Sequence, residues 1–313
     1  MKKNILIIMA LFTLLACTKA PLLLKPGSFI AAKSSRPTCG EVTEILLINT
    51  GQAMMAEKNM FEGGGNAKRE IPILCALLKK GERYILIDTG LNHHFAFDPG
   101  DYLGETTQFF GEMFRDLPAM QPGQDVVAQL ARMGVSPETV TKIILTHGHV
   151  DHTGELSSFP NADIYLWQKE REYMSRALGK LRGVMQNDLP DKHIKELSFE
   201  NSKPHLTFPG SYDLFNDESV VIVPTPGHTP GSISVSVNTK KGRFLFIGDA
   251  AYTLENIRKP VLTGYNENRD QTWETIVRLH DLSKQRPDIR IIPFHDPDLK
   301  PTDSMTPTRL ITD

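Results

Sequence analysis

The 313-residue sequence predicts an α/β fold in which helices pack on the outer faces of sheets. Three observations carry that expectation. Short apolar runs of four to eight residues, rich in Ile, Val, Leu and aromatics, recur from residue 42 to residue 292, each bounded by Gly, Pro, Asn or Asp. Helix-patterned stretches lie between them within one continuous segment. The composition, 40% hydrophobic and 23% charged, is that of a folded chain able to bury a sizeable core. Disorder and collagen-like structure are excluded, and no internal repeat or low-complexity block stands out.

The first element is an address. Met1–Cys17 reads MKKNILIIMALFTLLAC, two lysines followed by an apolar run from Ile5 to Leu15, too short to span a bilayer but suited to a secretory signal. Leu14-Leu15-Ala16-Cys17 resembles a bacterial lipobox, which implies removal of residues 1–16 and acylation of the Cys17 thiol. The alternative is an ordinary signal cut near Ala16 or Ala20. Export to the cell envelope is expected, with lipid anchoring in the outer membrane or periplasm; Thr18 after the cysteine favours outer-membrane sorting by resemblance to Gram-negative lipoproteins. Residues 17–40 carry Pro21, Pro26, Gly27, Ser34, Ser35 and Pro37 and read as a tether, leaving residues 41–313 as the folded domain.

Strands are expected at Val42–Ile48, Ile71–Leu78, Tyr84–Ile87, Lys142–Leu145, Asp163–Trp167, Val220–Val223, Ile233–Val237, Phe244–Ile247 and Ile289–Ile292. Helices are expected at Gln124–Met133, from Gln168 to about Met185, and at Gln271–Lys284. Gly51–Ala67, with Met54, Met55, Met60 and Phe61, reads as an irregular loop. His93–Met120 is a second, carrying Phe95, Phe97, Tyr102, Phe109, Phe110, Met113 and Phe114. These side chains form either a satellite core or an adaptable wall for an apolar ligand.

The net charge of −2 offers no basic field for a phosphate backbone, so nucleic-acid binding is not expected. Three cysteines are too few for a disulfide scaffold. Export would allow a Cys39–Cys75 bridge, although the apolar surroundings of Cys75 favour a buried thiol.

The ten histidines are the unusual feature. The run Lys142–Leu145 leads into Thr146-His147-Gly148-His149-Val150-Asp151-His152. Histidines two apart on an extended backbone face one side. Four ligand-type side chains within six residues suit a metal rather than a core. The same pattern recurs at other strand ends: His228 in Pro226-Gly227-His228, Asp249 in Gly248-Asp249, and His295 in Phe294-His295-Asp296. His93 and His94 read as surface residues near the site mouth, while His193, His205 and His280 receive no role.

In order and spacing, Asp88 in Ile85-Leu86-Ile87-Asp88-Thr89-Gly90, the HGHVDH run, His228, Asp249 and His295 resemble the metallo-β-lactamase superfamily over nearly all of residues 41–295. The resemblance implies an αββα sandwich with a dinuclear metal site at its edge. It implies one ion on His147, His149 and His228, another on Asp151, His152 and His295, with Asp249 bridging and Asp88 orienting the ligand loop. Two divalent ions are expected, zinc being the default for N/O ligands. Tyr252, three residues after Asp249, and Ile71–Gly90 resemble the N-acyl homoserine lactonases, a quorum-quenching branch. There the tyrosine would donate to the substrate carbonyl, with Asp151 or Asp249 helping to protonate the leaving alkoxide. The expected partner is therefore a small lactone or ester.

Asp249 stands where many true β-lactamases have a thiolate, which weakens β-lactam hydrolysis. Thioester and phosphotriester hydrolysis share the ligand set. A non-catalytic, ligand-binding surface lipoprotein is the alternative from another class, and an intact dinuclear ligand set argues against it. Oligomeric state is left open by the sequence.

Overall fold

Two long strands, β1 (Glu44–Ala56) and β2 (Lys68–Lys80), pair antiparallel from Glu44↔Lys79 to Ala56↔Lys68. In the computed structural model, which describes residues 24–32, 41–103, 119–176, 183–185, 188–190 and 193–312, they begin a seven-stranded sheet. It continues with β3 (Arg83–Ile87), β4 (Val140–Ile144), β5 (Asp163–Trp167) and β6 (Ile194–Leu197), in the order β12-β1-β2-β3-β4-β5-β6, where β12 is Thr308–Thr312. A five-stranded sheet holds β7 (Tyr212–Asp213), β8 (Val220–Pro224), β9 (Ile233–Thr239), β10 (Gly242–Gly248) and β11 (Ile289–Pro293), in the order β11-β10-β9-β8-β7. The helices are α1 (Glu57–Met60), α2 (Pro99–Leu103), α3 (Val126–Arg132), α4 (Val150–Thr153), α5 (Gln168–Met174), α6 (Leu254–Arg258) and α7 (Arg269–Gln285).

Strand periodicity produces four layers. Ile45, Leu47, Leu74, Ala76, Leu78, Ile85 and Ile87 of the first sheet meet Ile222, Val235, Val237, Phe244 and Phe246 of the second. The intervening residues Leu46, Ile48, Cys75, Leu77 and Leu86 face outward, onto Val126 and Leu130 of α3 and Tyr173 and Met174 of α5. On the other side Val221, Val223, Leu245 and Ile247 pack on Ile257 of α6 and on Leu279 and Leu282 of α7. This is the expected αββα sandwich. The sheets are joined at one edge by Ile233 N–H donating to Thr146 O at 2.9 Å and Leu74 N–H to Phe294 O at 3.2 Å.

Several elements differ from the sequence reading. Residues 51–56, expected to be loop, continue β1, and 68–70 extend β2, because register with the partner strand carries on past the apolar run. The helix expected from Gln168 to about Met185 stops at Met174; the chain returns so that Val184 pairs with His149. Phe95 and Met120 are buried with Ile73 and Leu91, Tyr102 packing against them, a satellite core. Phe109, Phe110, Met113 and Phe114 lie outside the described residues, as do residues 1–16, Cys17 and Cys39. Cys75 is a buried free thiol.

Within the stretch read as a tether, residues 24–32 lie on α7. Asp281 accepts Gly27 N–H at 2.6 Å and Phe29 N–H at 2.8 Å, one with each carboxylate oxygen. Gln285 bonds Phe29 O and Ala31 N, Trp273 Nε1 donates to Leu24 O at 2.8 Å, and Arg278 covers the Phe29 ring. This part of the stretch belongs to the folded body.

Candidate metal centre

The ligand-bearing segments leave the ends of β4, β8, β10 and β11, so their first side chains meet at the edge where the two sheets are joined. After β4 the chain bends at Thr146, runs through His147 to His149, whose backbone is extended, then turns into α4, which carries Asp151 and His152. Gly148 is required here by close approach: a Cβ would stand 2.5 Å from Met174 Cγ. Before His228, Gly227 adopts φ 136°, and a Cβ there would meet Thr272 N of α7 at 2.3 Å.

All seven sequence-predicted ligands come together, in two groups. His149 Nδ1 lies 3.0 Å from both His147 Nε2 and His228 Nε2. Asp249 Oδ2 faces this group, 3.4 Å from His228 Nε2 and 3.9 Å from His147 Nε2. Its other oxygen, Oδ1, faces the second group, 3.3 Å from His152 Nε2 and 3.2 Å from His295 Nε2. Asp151 Oδ2 completes that group, 3.4 Å from His295 Nε2 and 3.7 Å from His152 Nε2. Asp249 therefore stands between the groups with one oxygen toward each.

Hydrogen bonds on the far side of four imidazoles fix which nitrogen faces inward. His152 Nδ1 donates to Asp88 Oδ2 at 2.7 Å and His295 Nδ1 to Pro72 O at 2.8 Å. His228 Nδ1 points at Tyr265 O, 3.4 Å away. Thr146 donates its hydroxyl to Asp88 Oδ2 at 2.6 Å, which leaves its oxygen to accept from His147 Nδ1 at 3.1 Å. Asp88 also accepts Thr146 N–H at 2.7 Å and sits in the left-handed region with φ 60°, a conformation Asp tolerates better than most residues. The result is a cluster of inward-facing ring nitrogens.

Such a cluster calls for cations. His152 Nε2 and Asp249 Oδ1 are buried without a hydrogen-bond partner among the described residues, a cost that ions at the centre would remove. A tetrahedral ion with bonds of about 2.05 Å spaces its ligands about 3.3 Å apart, close to the separations found. Burial pushes His147 and His228 below the usual histidine range and His149 to about 3, the neutral state that ligates a metal. Burial also opposes charge on His152 and His295, but the surrounding carboxylates override it and hold His295 at about 10 and His152 well up. Against the same burial, the neighbouring histidines hold Asp249 and Asp151 low. The residues fit two divalent cations, one per group.

Tyr252 lies between the groups, its ring centroid 5.7 Å from those of both His228 and His295. Burial, then the Asp249 and Asp151 carboxylates, push its phenol well above 10, so it remains a donor. Of the other histidines, His93 contacts Glu155 at 2.8 Å, His205 contacts Ser236 at 3.3 Å and His280 contacts Ile257 O at 2.8 Å; none joins the cluster.

Two contributors escaped the sequence reading. Glu170, fully buried in the first turn of α5, accepts Gly148 N–H at 2.7 Å with Oε1, and the Thr229 hydroxyl at 2.6 Å and Gly231 N–H at 3.1 Å with Oε2. One carboxylate thus joins the loops bearing His147, His149 and His228, yet its short-range sequence is that of any helix-starting acid. Tyr265, 43% exposed, places its ring 6.0 Å from His149 and 5.8 Å from His228 at the rim.

Comparisons with known proteins find a matching family and similar structures. The sequence profile of the Metallo-beta-lactamase superfamily matches residues 69–292. The chain is 29% identical over 269 residues to the N-acyl homoserine lactonase AttM of Azorhizobium caulinodans, covering 84% of this chain and 97% of the relative. It is 28% identical over 250 residues to the N-acyl homoserine lactonase AiiA of Bacillus thuringiensis subsp. kurstaki, covering 78% and 90%. A solved N-acyl homoserine lactone hydrolase, with the product N-hexanoyl-L-homoserine bound at its catalytic metal center, superposes with a TM-score of 0.68 at 26% identity, covering 82% of this chain and 95% of that one.

Proposed function

The chain belongs to the metallo-beta-lactamase superfamily, and on that premise we propose that it opens the lactone ring of N-acyl homoserine lactones. The observation that carries the substrate reading is Tyr252, a buried protonated phenol set between ligands of both groups. His147, His149, His228, Asp151, His152, His295 and Asp249 would hold two divalent ions, zinc by default, whose chemistry would be to lower the pKa of water and to polarise an ester carbonyl. Tyr252 donates to the carbonyl oxygen as negative charge develops there, an interaction that strengthens toward the transition state. Asp151, with its side chain 22% exposed against 5% for Asp249, is the carboxylate open to the substrate side. It is placed to take the proton from the attacking oxygen once that oxygen has bonded to the carbonyl carbon, and to pass it to the alkoxide that leaves as the ring C–O bond breaks. Asp249 keeps both groups in register.

A panel of acyl homoserine lactones, simple esters, thioesters and phosphotriesters assayed with zinc-loaded protein tests the reading; cleavage of another class with lactones left intact would overturn it. Tyr252→Phe should lower kcat roughly 100- to 1000-fold, the range for losing one oxyanion donor, with metal content unchanged. For location we propose a cell-envelope lipoprotein anchored through Cys17, supported by the lipobox-like Leu14–Cys17 and read out by the mass of the mature N-terminus.

A further inference from the structure

We propose that residues 24–32 convert a lipid anchor at Cys17 into an orienting strap that holds the metal-centre edge against the bilayer, where the enzyme takes lactones partitioned into the membrane. The inference rests on the anchor reading above. Its basis is the direction of the strap. Leu24 meets Trp273 near the start of α7, Gly27 and Phe29 meet Asp281, and Ala31 meets Gln285 at the helix end, so strap and helix run parallel. Ala32 N–H then bonds Leu206 O at 2.7 Å. The anchored end of the chain therefore emerges at the N-terminal end of α7.

That end carries the metal-centre loop. Asn268 N–H donates to Gly227 O at 2.9 Å, Glu267 N–H to His228 O at 3.1 Å, and the Thr275 hydroxyl to Pro226 O at 2.8 Å. A strap running the other way would have brought the anchor out at the opposite end of the helix. Cys17 precedes Leu24 by seven residues, a leash of at most about 25 Å, against a domain roughly 50 Å across. The leash is too short for the site end to swing away from the surface. An exposed aromatic side chain, Tyr265, lies on this side at the site rim. Asp281, 3% exposed and remote from the ligands, has both oxygens committed to holding the strap.

The test uses the full mature protein in vesicles of phosphatidylethanolamine and phosphatidylglycerol containing an acceptor-labelled lipid. A donor dye is attached at Asp270→Cys, in the first turn of α7, or at Glu82→Cys, in the β2–β3 turn at the other end of the sheet, each in a Cys39→Ser background. Energy transfer should be several-fold stronger from position 270. A Gly/Ser spacer of about twenty residues between Ala20 and Pro21, adding about 25 Å of reach, should even out the two signals, and Asp281→Ala should do the same by releasing the strap. The spacer should also slow hydrolysis of a dodecanoyl lactone dissolved in the vesicles while leaving a water-soluble butanoyl lactone unaffected. Equal transfer from both positions in the parent protein, or a difference that survives the spacer, would overturn the strap. Equal slowing of both lactones, or of neither, would overturn the membrane-substrate assignment. A mature Cys17 of unmodified mass would overturn the anchor reading itself, while an acylated Cys17 with equal transfer would overturn only the orientation.

Discussion

Glu170 shows how a residue that touches no ligand can govern a metal group. Its three accepted hydrogen bonds hold Gly148, between two ligand histidines, and Thr229 and Gly231, just after a third. In Glu170→Ala those donors lose their acceptor, at about 1–3 kcal/mol each if they stay buried. Zinc affinity of the His147–His149–His228 group should fall 10- to 100-fold, as for other outer-shell changes, while the second group keeps its ion. Metal analysis at limiting zinc would show about one equivalent retained; two retained equivalents would remove the positioning role. Burial pushes the Glu170 pKa up to about 7 from 4.5. A raised carboxylate pKa stabilises the fold fully below the unfolded value and is lost as pH rises through the folded one. Stability of the parent relative to Glu170→Gln should therefore decline by about 3 kcal/mol between pH 4.5 and 7, measurable by urea titrations of chelated protein. Asp88→Asn disturbs the other group instead, because His152 would lose the carboxylate that holds its Nδ1 proton.

Where α7 meets the loop before His228, packing and ligation become one problem. Gly227→Ala would force its new methyl against Thr272 N, so either the first turn of α7 or His228 must move. A stability loss of about 2 kcal/mol would lower Tm by roughly 4–8 °C for a chain of this size, accompanied by weaker zinc retention; an unchanged melt would show that the loop has room to adjust. Contacts of this kind separate what the sequence displays from what it hides. Strands such as Asp163–Trp167 and Val220–Pro224 were legible because buried apolar runs end in turn residues. The polar extensions of β1 and β2, and the edge strands Ile194–Leu197, Tyr212–Asp213 and Thr308–Thr312, carry no such pattern and are set mainly by pairing, Leu197 and Ile311 adding one core side chain each. The seven ligands were legible from residue type and position after strands. Glu170 and Asp281 were not, because their partners are backbone amides far along the chain: Gly231 lies 61 positions from Glu170, and Gly27 lies 254 from Asp281.

Taken as a whole, the molecule is two sheets whose shared edge is closed by the ligand cluster. His147, His149, Asp151 and His152 come from the first sheet, and His228, Asp249 and His295 from the second, so each ion would be held from both layers. Metal should then act as a cross-layer clasp as well as a catalytic centre. An ion present at 1,000 times its Kd adds about 4 kcal/mol to stability, or roughly 8–16 °C in Tm for a domain this large. Chelation should lower the melt by an amount of that order and abolish lactone hydrolysis together, and added zinc should restore both. Asp249→Ala removes the carboxylate shared by the two groups, so its melt should resemble the chelated parent and respond little to zinc. A non-catalytic binder would behave differently, leaving its ligand chemically intact whether or not zinc was present. If chelation abolished turnover while the melt stayed unchanged, the two layers would be locked by the hydrophobic core and by bonds such as Ile233–Thr146 and Leu74–Phe294, and the clasp would have no structural share.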